Sequence, residues 1–171
     1  LSPAGQHLKT FNTLTGATKH SFSYDSAGRL LSITDGDGNV TTIQRNANGH
    51  PTGILSPFGQ QTLLALDANG YLASVTNPAK ETTSMIYAAG GLLTPFTNPR
   101  GFSSHMTYDS LGRLTRDEDA AGGFWAITRA ESNASFSTTL TSALGRATTY
   151  GVNNLSTGNQ DRSVSFPTGV Q

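Results

Sequence analysis

The chain has 171 residues, with 11 basic and 11 acidic side chains, no cysteine and only 13% charged residues. Zero net charge argues against nucleic-acid binding, which needs a basic face, and the lack of cysteine excludes disulfides, thiolate metal sites and cysteine nucleophiles. No apolar run approaches the roughly 18 residues of a membrane span, and 19 glycines with 7 prolines indicate a turn-rich β protein.

Turn signals divide the chain from its first residues onward. Residues 1–19 hold two such signals, at Gly5 and Gly16. From residue 20 to residue 129, two series of turn residues then recur with a step of 21 residues. The first series is Gly28, Gly49, Gly70, Gly91 and Gly112, and the second is Gly38, Gly59, Lys80, Gly101 and Gly122. A fixed period of this kind predicts an array of similar supersecondary units.

The segments between the turns have the length and alternation of β-strands. Each holds about five or six residues, which is too short for a helix. Before each first turn, three columns two residues apart share one strand face. These columns are Thr41, Thr62, Thr83, Ser104 and Trp125; Phe22, Ile43, Leu64, Met85, Met106 and Ile127; and Tyr24, Arg45, Leu66, Tyr87, Tyr108 and Arg129. After the turn, apolar columns three residues apart, such as Leu30 and Ile33, predict a bulge or bend.

The turn sequences have a physical rationale. The run Tyr24-Asp25-Ser26-Ala27-Gly28-Arg29-Leu30 recurs at residues 108–114. Its aspartate can accept a hydrogen bond from the backbone two residues on, and its glycine accepts a positive φ. In the second turns, Pro78 and Pro99 preset φ. Each repeat is therefore predicted to be one β-hairpin, and the hairpins to stack edge to edge.

The period slips after Arg129. Ser142–Arg146 nevertheless resembles the first turn, and Pro167–Gln171 resembles the second. We predict one repeat array over residues 1–171, regular at 20–129 and degenerate at 1–19 and 130–171. We also expect the chain to be a fragment of a longer protein. Open strand edges at its ends would then permit a homodimer through strand pairing.

The Tyr-Asp-x-x-Gly-Arg-Leu units, each followed about ten residues on by a turn with Asp or Asn, Pro and Gly, resemble the YD repeats of the Rhs family. This family includes bacterial Rhs and polymorphic toxins, the B–C components of insecticidal toxin complexes, and teneurins. The resemblance is sharp over residues 20–129. The structural motif residues are Tyr24, Asp25, Gly28, Arg29, Tyr108, Asp109, Gly112 and Arg113.

The resemblance implies an all-β fold in which stacked hairpins form a curved, spiralling antiparallel sheet, an open segment of a hollow shell. It implies a non-catalytic structural segment that encapsulates a C-terminal toxin or cargo domain. The implied partners are the rest of the parent shell and the enclosed cargo. The implied location is secreted or at the cell surface, as part of a larger exported bacterial protein. The alternative is a recognition or adhesion module that binds carbohydrate or a partner protein.

No catalytic residue, cofactor or metal is predicted. The four histidines are scattered: His7, His20, His50 and His105. The run Asp35-Gly36-Asp37-Gly38-Asn39 begins like a calcium loop, but Asn46 stands where the bidentate glutamate belongs. A hairpin turn is therefore favoured there, as it is at Asp119. The sequence leaves open whether any turn binds calcium.

The outer tyrosine column allows two interpretations. Its members are Tyr24, Tyr87 and Tyr108. The rings could stack on sugars, or each ring could brace its turn over the apolar ladder with its hydroxyl bonded to a neighbour. We favour bracing. Arg29 and Arg113 are expected to pack along the turn or to pair with Asp25 and Asp109.

Overall fold

The computed structural model describes residues 1–167 and consists of fifteen antiparallel β-strands in one open sheet. The strands pair in the order in which they occur in the chain. The predicted all-β fold of stacked hairpins is therefore confirmed, while its curvature stays a prediction. The turn predicted at Pro167–Gln171 falls largely on residues 168–171, outside the described residues.

The chain divides into two compact units, Leu1–Ser84 and Met85–Gln171. The strands are β1 (Lys9–Phe11), β2 (Thr18–Tyr24), β3 (Leu30–Asp35), β4 (Val40–Arg45), β5 (Pro51–Leu55), β6 (Gln61–Leu66), β7 (Leu72–Thr76), β8 (Thr82–Tyr87), β9 (Leu93–Thr97), β10 (Ser103–Tyr108), β11 (Leu114–Glu118), β12 (Phe124–Glu131), β13 (Ser135–Ser142), β14 (Ala147–Asn154) and β15 (Gln160–Ser165). Strands of five or six residues dominate the regular repeats, as their sequences predict.

The turns of residues 20–129 share one pair of backbone hydrogen bonds. The first turn residue donates its N–H to the carbonyl four residues on, and the fourth donates its N–H to the carbonyl of the first. In the turn that begins at Asp25, both donor–acceptor distances are 2.9 Å. The turns begin at Asp25, Asp35, Asn46, Ser56, Asp67, Asn77, Ala88, Asn98, Asp109 and Asp119. This is the three-residue hairpin loop in which a type I turn is followed by a left-handed residue; the turn at Ala88 differs because Gly90 before the left-handed residue also has a positive φ, 87°.

The predicted bulge lies in the returning strand after first turns of the repeat. Ser23 pairs with Ser32, but the next residue, Tyr24, pairs with Leu30, so one residue of β3 is skipped. The same register shift occurs at Arg45, Leu66 and Tyr108. Because of the bulge, side chains three residues apart in β3 lie on one face of the sheet. They pair with side chains that are only two residues apart in β2. The bulge prediction is confirmed.

A row of apolar side chains crosses each repeat. In the first unit, Phe22 pairs with Ile33, which pairs in turn with Thr41. The next row starts two residues further along the same strand, at Ile43, and continues through Ile54. The side chains of these rows are half-buried. The sheet is thus a single layer, held by its strand ladders and by contacts at its turns.

In the second unit the last row departs from this pattern. Met106 pairs with Asp117, which pairs with Trp125, so a carboxylate and an indole occupy positions that in the earlier repeats hold apolar or hydroxyl side chains. Beyond this row the strands lengthen. Strands β12 and β13 pair over seven residues, from Trp125↔Ser142 to Glu131↔Phe136.

The predicted turn at Ser142–Arg146 forms, but its assignment to the first series is wrong. Its two backbone bonds are both 2.9 Å, yet it joins β13 to β14 and therefore lies at the edge of the second turns. The reason is an unpredicted tight turn at Ser132–Ser135, where the Ser132 N–H donates to the Ser135 carbonyl over 2.8 Å. That turn closes the β12–β13 hairpin and changes which edge each later turn occupies.

Lys80 provides a test of the turn geometry. It is the sole non-glycine with positive φ among residues 1–167, at 68°. A left-handed residue with a Cβ costs roughly 1 kcal/mol, and the greater unfolded-state freedom of glycine offsets part of that gain. We expect Lys80→Gly to raise the free energy of unfolding by about 0.5 kcal/mol in urea titrations.

The matched control is Ala79→Gly in the same turn, where φ is negative. This change is expected to lower the free energy of unfolding by about 0.5 kcal/mol, because it adds unfolded-state entropy without relieving strain. A loss of stability in Lys80→Gly would contradict the role assigned to this position.

Candidate functional site

The aspartate of the repeat motif organises its turn from within. Asp25 Oδ1 accepts the N–H of Ala27 at 3.0 Å and the N–H of Arg29 at 2.9 Å. Its Oδ2 accepts Arg29 Nε at 2.7 Å. Asp109 forms the same bonds, including one from Arg113 Nε at 2.8 Å. The bond from the residue two positions on was predicted, and the bond from the fourth position was not.

These hydrogen bonds stabilise the ionised carboxylates. The backbone N–H of Arg29 lowers the pKa of Asp25, and that of Arg113 does the same for Asp109. Reciprocally, the hydrogen bond to Asp109 raises the pKa of Arg113. Glu131 is another acceptor for Arg113, at 2.9 Å, and its pKa is lowered chiefly by its hydrogen bond from Arg129.

Side chains of the outer column connect several repeats to the preceding segment. The Tyr108 hydroxyl donates to the carbonyl of Leu93 at 2.7 Å. In the first unit, Arg45 occupies the same column, and its Nη2 donates to the carbonyl of Leu30 at 3.2 Å. Leu30 and Leu93 are equivalent positions of the repeat. A phenol and a guanidinium therefore make the same contact to the same backbone group.

The strand ladder explains why a side-chain donor is used there. Strands β3 and β4 pair from Thr34↔Val40 to Ser32↔Thr42, near the second turn. Toward the first turn the paired register ends, and the Arg45 guanidinium reaches Leu30 in place of a backbone N–H. Tyr24 acts likewise at the start of the chain, donating to the carbonyl of His7 at 2.8 Å.

Successive first turns also contact each other directly. Arg29 Nη1 donates to the carbonyl of Gly49 in the following turn at 3.2 Å. Gln6 Nε2 makes the equivalent bond to Gly28 at 3.4 Å. A Cβ on Gly49 would collide with the Arg29 guanidinium, so this glycine serves both the backbone conformation and the contact between repeats. Arg29 thus caps its own turn and packs on the next.

The other candidate residues are engaged in local contacts. The His7 ring lies edge-on to Phe22, with centroids 4.8 Å apart, and His20 lies 6.5 Å from the same ring. Asp35 Oδ1 accepts the N–H groups of Asp37 and Asn39, and its Oδ2 accepts Asn39 Nδ2, each at 2.9 Å. The hydrogen bond from the Asn39 side chain is the chief cause of the lowered pKa of Asp35.

The described part of the chain has neither a cluster of metal ligands nor a membrane-spanning helix. Within residues 1–167, no group of three or more histidine or acidic side chains is placed to hold a metal ion. The same residues contain no helix long and apolar enough to cross a membrane.

The turns, bulges and inter-repeat bonds are those of a protein built from YD-type hairpin repeats. The comparison with protein families identifies the family. Residues 2–168 match the family described as Teneurin YD-shell. The chain belongs to this family, which confirms the resemblance found in the sequence, and it is a structural segment of a YD shell.

Curated relatives include human teneurin-1, 41% identical over 56 residues, and mouse teneurin-4, 35% identical over 57 residues. Each alignment covers 33% of this chain and 2% of the relative.

The fold is similar to TcdB2-TccC3 without the hypervariable C-terminal region, with a TM-score of 0.56 and 16% identity over 87% of this chain and 9% of that one. It is also similar to the Photorhabdus luminescens Tc holotoxin pore, with a TM-score of 0.51 and 15% identity over 86% of this chain and 9% of that one. The chain thus spans a small part of each protein that it matches.

The inter-repeat bond of Tyr108 can be tested by removing its hydroxyl. Tyr108→Phe is expected to lower the free energy of unfolding by about 1 kcal/mol, because one half-buried hydrogen bond is lost. Tyr108→Ala should cost more, since the ring packing goes as well. Urea unfolding measures both values.

Tyr150→Phe is the matched control in the same unit, because the Tyr150 side chain is 48% exposed. Its stability should stay within about 0.5 kcal/mol of the parent chain. Equal stability of Tyr108→Phe and the parent chain would show that the bond to Leu93 contributes nothing.

The turn aspartates predict how stability depends on acid. The pKa values of Asp25, Asp35 and Asp109 lie below 3.8 in the folded chain. Their contribution is therefore complete above the unfolded pKa and is lost as the pH falls through the folded values. Unfolding in urea between about pH 5 and pH 2 should show this loss of stability.

Asp109→Asn should make the acid-induced loss shallower while preserving the turn. Asn46 already forms these turn bonds, accepting the N–H groups of Asn48 and His50 at 3.0 Å. An unchanged acid profile in Asp109→Asn would contradict the assignment of this titration to Asp109.

Proposed function

We propose that this chain forms part of the wall of a YD-repeat shell that encloses a C-terminal toxin or cargo domain. The carrying observation is the continuity of hydrogen bonding from one hairpin to the next. Backbone ladders join strands in chain order, and side chains such as Arg45 and Tyr108 continue the bonding where the ladder ends. The role is mechanical and non-catalytic, and it requires no cofactor.

The polar face of the sheet suits a wall. Hydroxyl side chains on neighbouring strands bond to one another across that face. These pairs are Ser23–Ser32, Thr76–Thr82, Thr97–Ser103, Thr107–Thr115 and Thr139–Thr149, with oxygen–oxygen distances of 2.7 to 3.0 Å. Hydroxyls satisfied in this way leave a polar surface of low charge. Such a surface neither attracts nor repels a cargo through a strong field.

The proposal extends to location and partners. The parent protein is secreted or displayed at the surface of a bacterium, and its partners are the neighbouring shell and the cargo. In the isolated chain, the outer edges of β1 and β15 carry backbone groups that can pair with a second copy. A homodimer through these edges is the corresponding expectation.

The test begins with the gene sequence before Leu1 and after Gln171, followed by expression of the encoded protein. Further 21-residue repeats and a variable final domain are expected. The enclosed domain should resist a protease concentration that digests it when it is expressed alone. Tyr108→Ala in the wall should shorten this protection, and Tyr150→Phe should not.

Digestion of the final domain at the same rate in both forms would refute enclosure. A glycan and protein screen with the 171-residue chain tests the alternative of recognition. Saturable binding without any protection of a cargo would make adhesion, through carbohydrate or a partner protein, the better description.

A further inference from the structure

Strands β11 and β12 contain a three-part arrangement of arginine, carboxylate and aromatic ring. Glu118 and Phe124 are direct cross-strand partners. Arg116 lies two residues before Glu118 on the same face and donates Nε to its Oε2 at 2.8 Å. The guanidinium carbon lies 3.4 Å from the centroid of the Phe124 ring. One guanidinium thus satisfies a carboxylate and a ring together.

The same arrangement recurs between β12 and β13. Glu131 and Phe136 are direct cross-strand partners, and Arg129 lies two residues before Glu131. Arg129 Nε donates to Glu131, and its guanidinium carbon lies 4.2 Å from the Phe136 ring centroid. Two copies with identical spacing make this a recurrent solution within the chain.

A third carboxylate and ring occupy the same relation on the other face of β11 and β12. Asp117 and Trp125 are direct cross-strand partners, but the bulge at Thr115 places Leu114 next along this face of β11, so no arginine precedes the carboxylate there. Trp125 is 51% exposed. Among the described residues, no cation lies over Trp125 and none forms an ion pair with Asp117. The carboxylate and the aromatic ring of the arrangement are therefore present here, and no arginine of the described residues joins them.

The surroundings of this pair form a groove of about 400 Å³ at the second-turn edge. Leu144, which is 79% exposed, provides an apolar wall. The charged side chains that line the groove are Asp117, Asp119 and Arg146, so carboxylates outnumber cations. An apolar wall suits the methylene stem of a long side chain, and the carboxylates suit its cationic head.

We propose that this groove binds an arginine side chain of a partner polypeptide. The guanidinium stacks on the Trp125 indole and pairs with Asp117, as Arg116 does with Phe124 and Glu118. Arginine fits better than lysine, because a planar guanidinium can stack on a ring and donate hydrogen bonds in its own plane at once. The inference concerns a contact surface, and it holds whether or not the parent shell encloses a cargo.

The single tryptophan of the chain makes the test direct, since its emission reports on this groove alone. The probe is the capped peptide acetyl-Gly-Gly-Arg-Gly-Gly-amide, titrated at low salt against the 171-residue chain. A saturable change in emission is expected. Peptides with citrulline or lysine in place of arginine should bind at least fivefold more weakly. No saturable change, or equal binding of the citrulline peptide, would overturn the proposal.

Variants locate the site independently of emission. Asp117→Asn should weaken binding of the arginine peptide at least fivefold, because the charged acceptor is lost. Glu118→Gln is the matched control, since Glu118 faces the opposite side and should leave the affinity unchanged. Amide NMR spectra check that both variants are folded, and the Trp125 indole N–H signal should shift on binding. Wild-type affinity in Asp117→Asn, or equal losses in both variants, would overturn the assignment.

Discussion

The structure depends on one backbone conformation, the left-handed residue that closes each hairpin turn of residues 20–129. A type I turn followed by such a residue reverses the chain within a loop of three residues. Gly28 takes this position with φ of 77°, and Lys80 takes it with 68°. Because the same geometry recurs, each hairpin enters the sheet in the same register, and the apolar rows step regularly from repeat to repeat.

Side-chain chemistry at the first-turn edge follows from that register. The outer column reaches the neighbouring hairpin at the point where the paired backbone ladder ends. The Tyr108 hydroxyl and the Arg45 guanidinium therefore bond equivalent carbonyls, at Leu93 and Leu30. Because Gly49 has no Cβ, the Arg29 guanidinium can also pack against its backbone. Cohesion between repeats thus comes from many small, local contacts.

Departures from the repeat carry the potential for specific recognition. A regular wall offers each position the same surroundings, so a carboxylate and an indole in the apolar row, at Asp117 and Trp125, stand out chemically. The two internal arginine arrangements, at Arg116 and Arg129, show which cation completes such a pair. The structural role and the proposed contact surface can therefore coexist in one sheet.

The sequence by itself determined the hairpin period, the turn positions at residues 25–122 and the bulge, because backbone conformation there depends on a few neighbouring residues. Three features were decided by tertiary structure alone. The Ser132–Ser135 turn has no left-handed residue to signal it. The bond from Tyr108 to Leu93 spans 15 residues and depends on where two strands cease to pair. Arg129 occupies the column of Arg45 but turns to Glu131 and Phe136. The partner of a flexible polar side chain depends on which distant groups the folded sheet brings within reach. A local sequence pattern does not predict the distance between such groups.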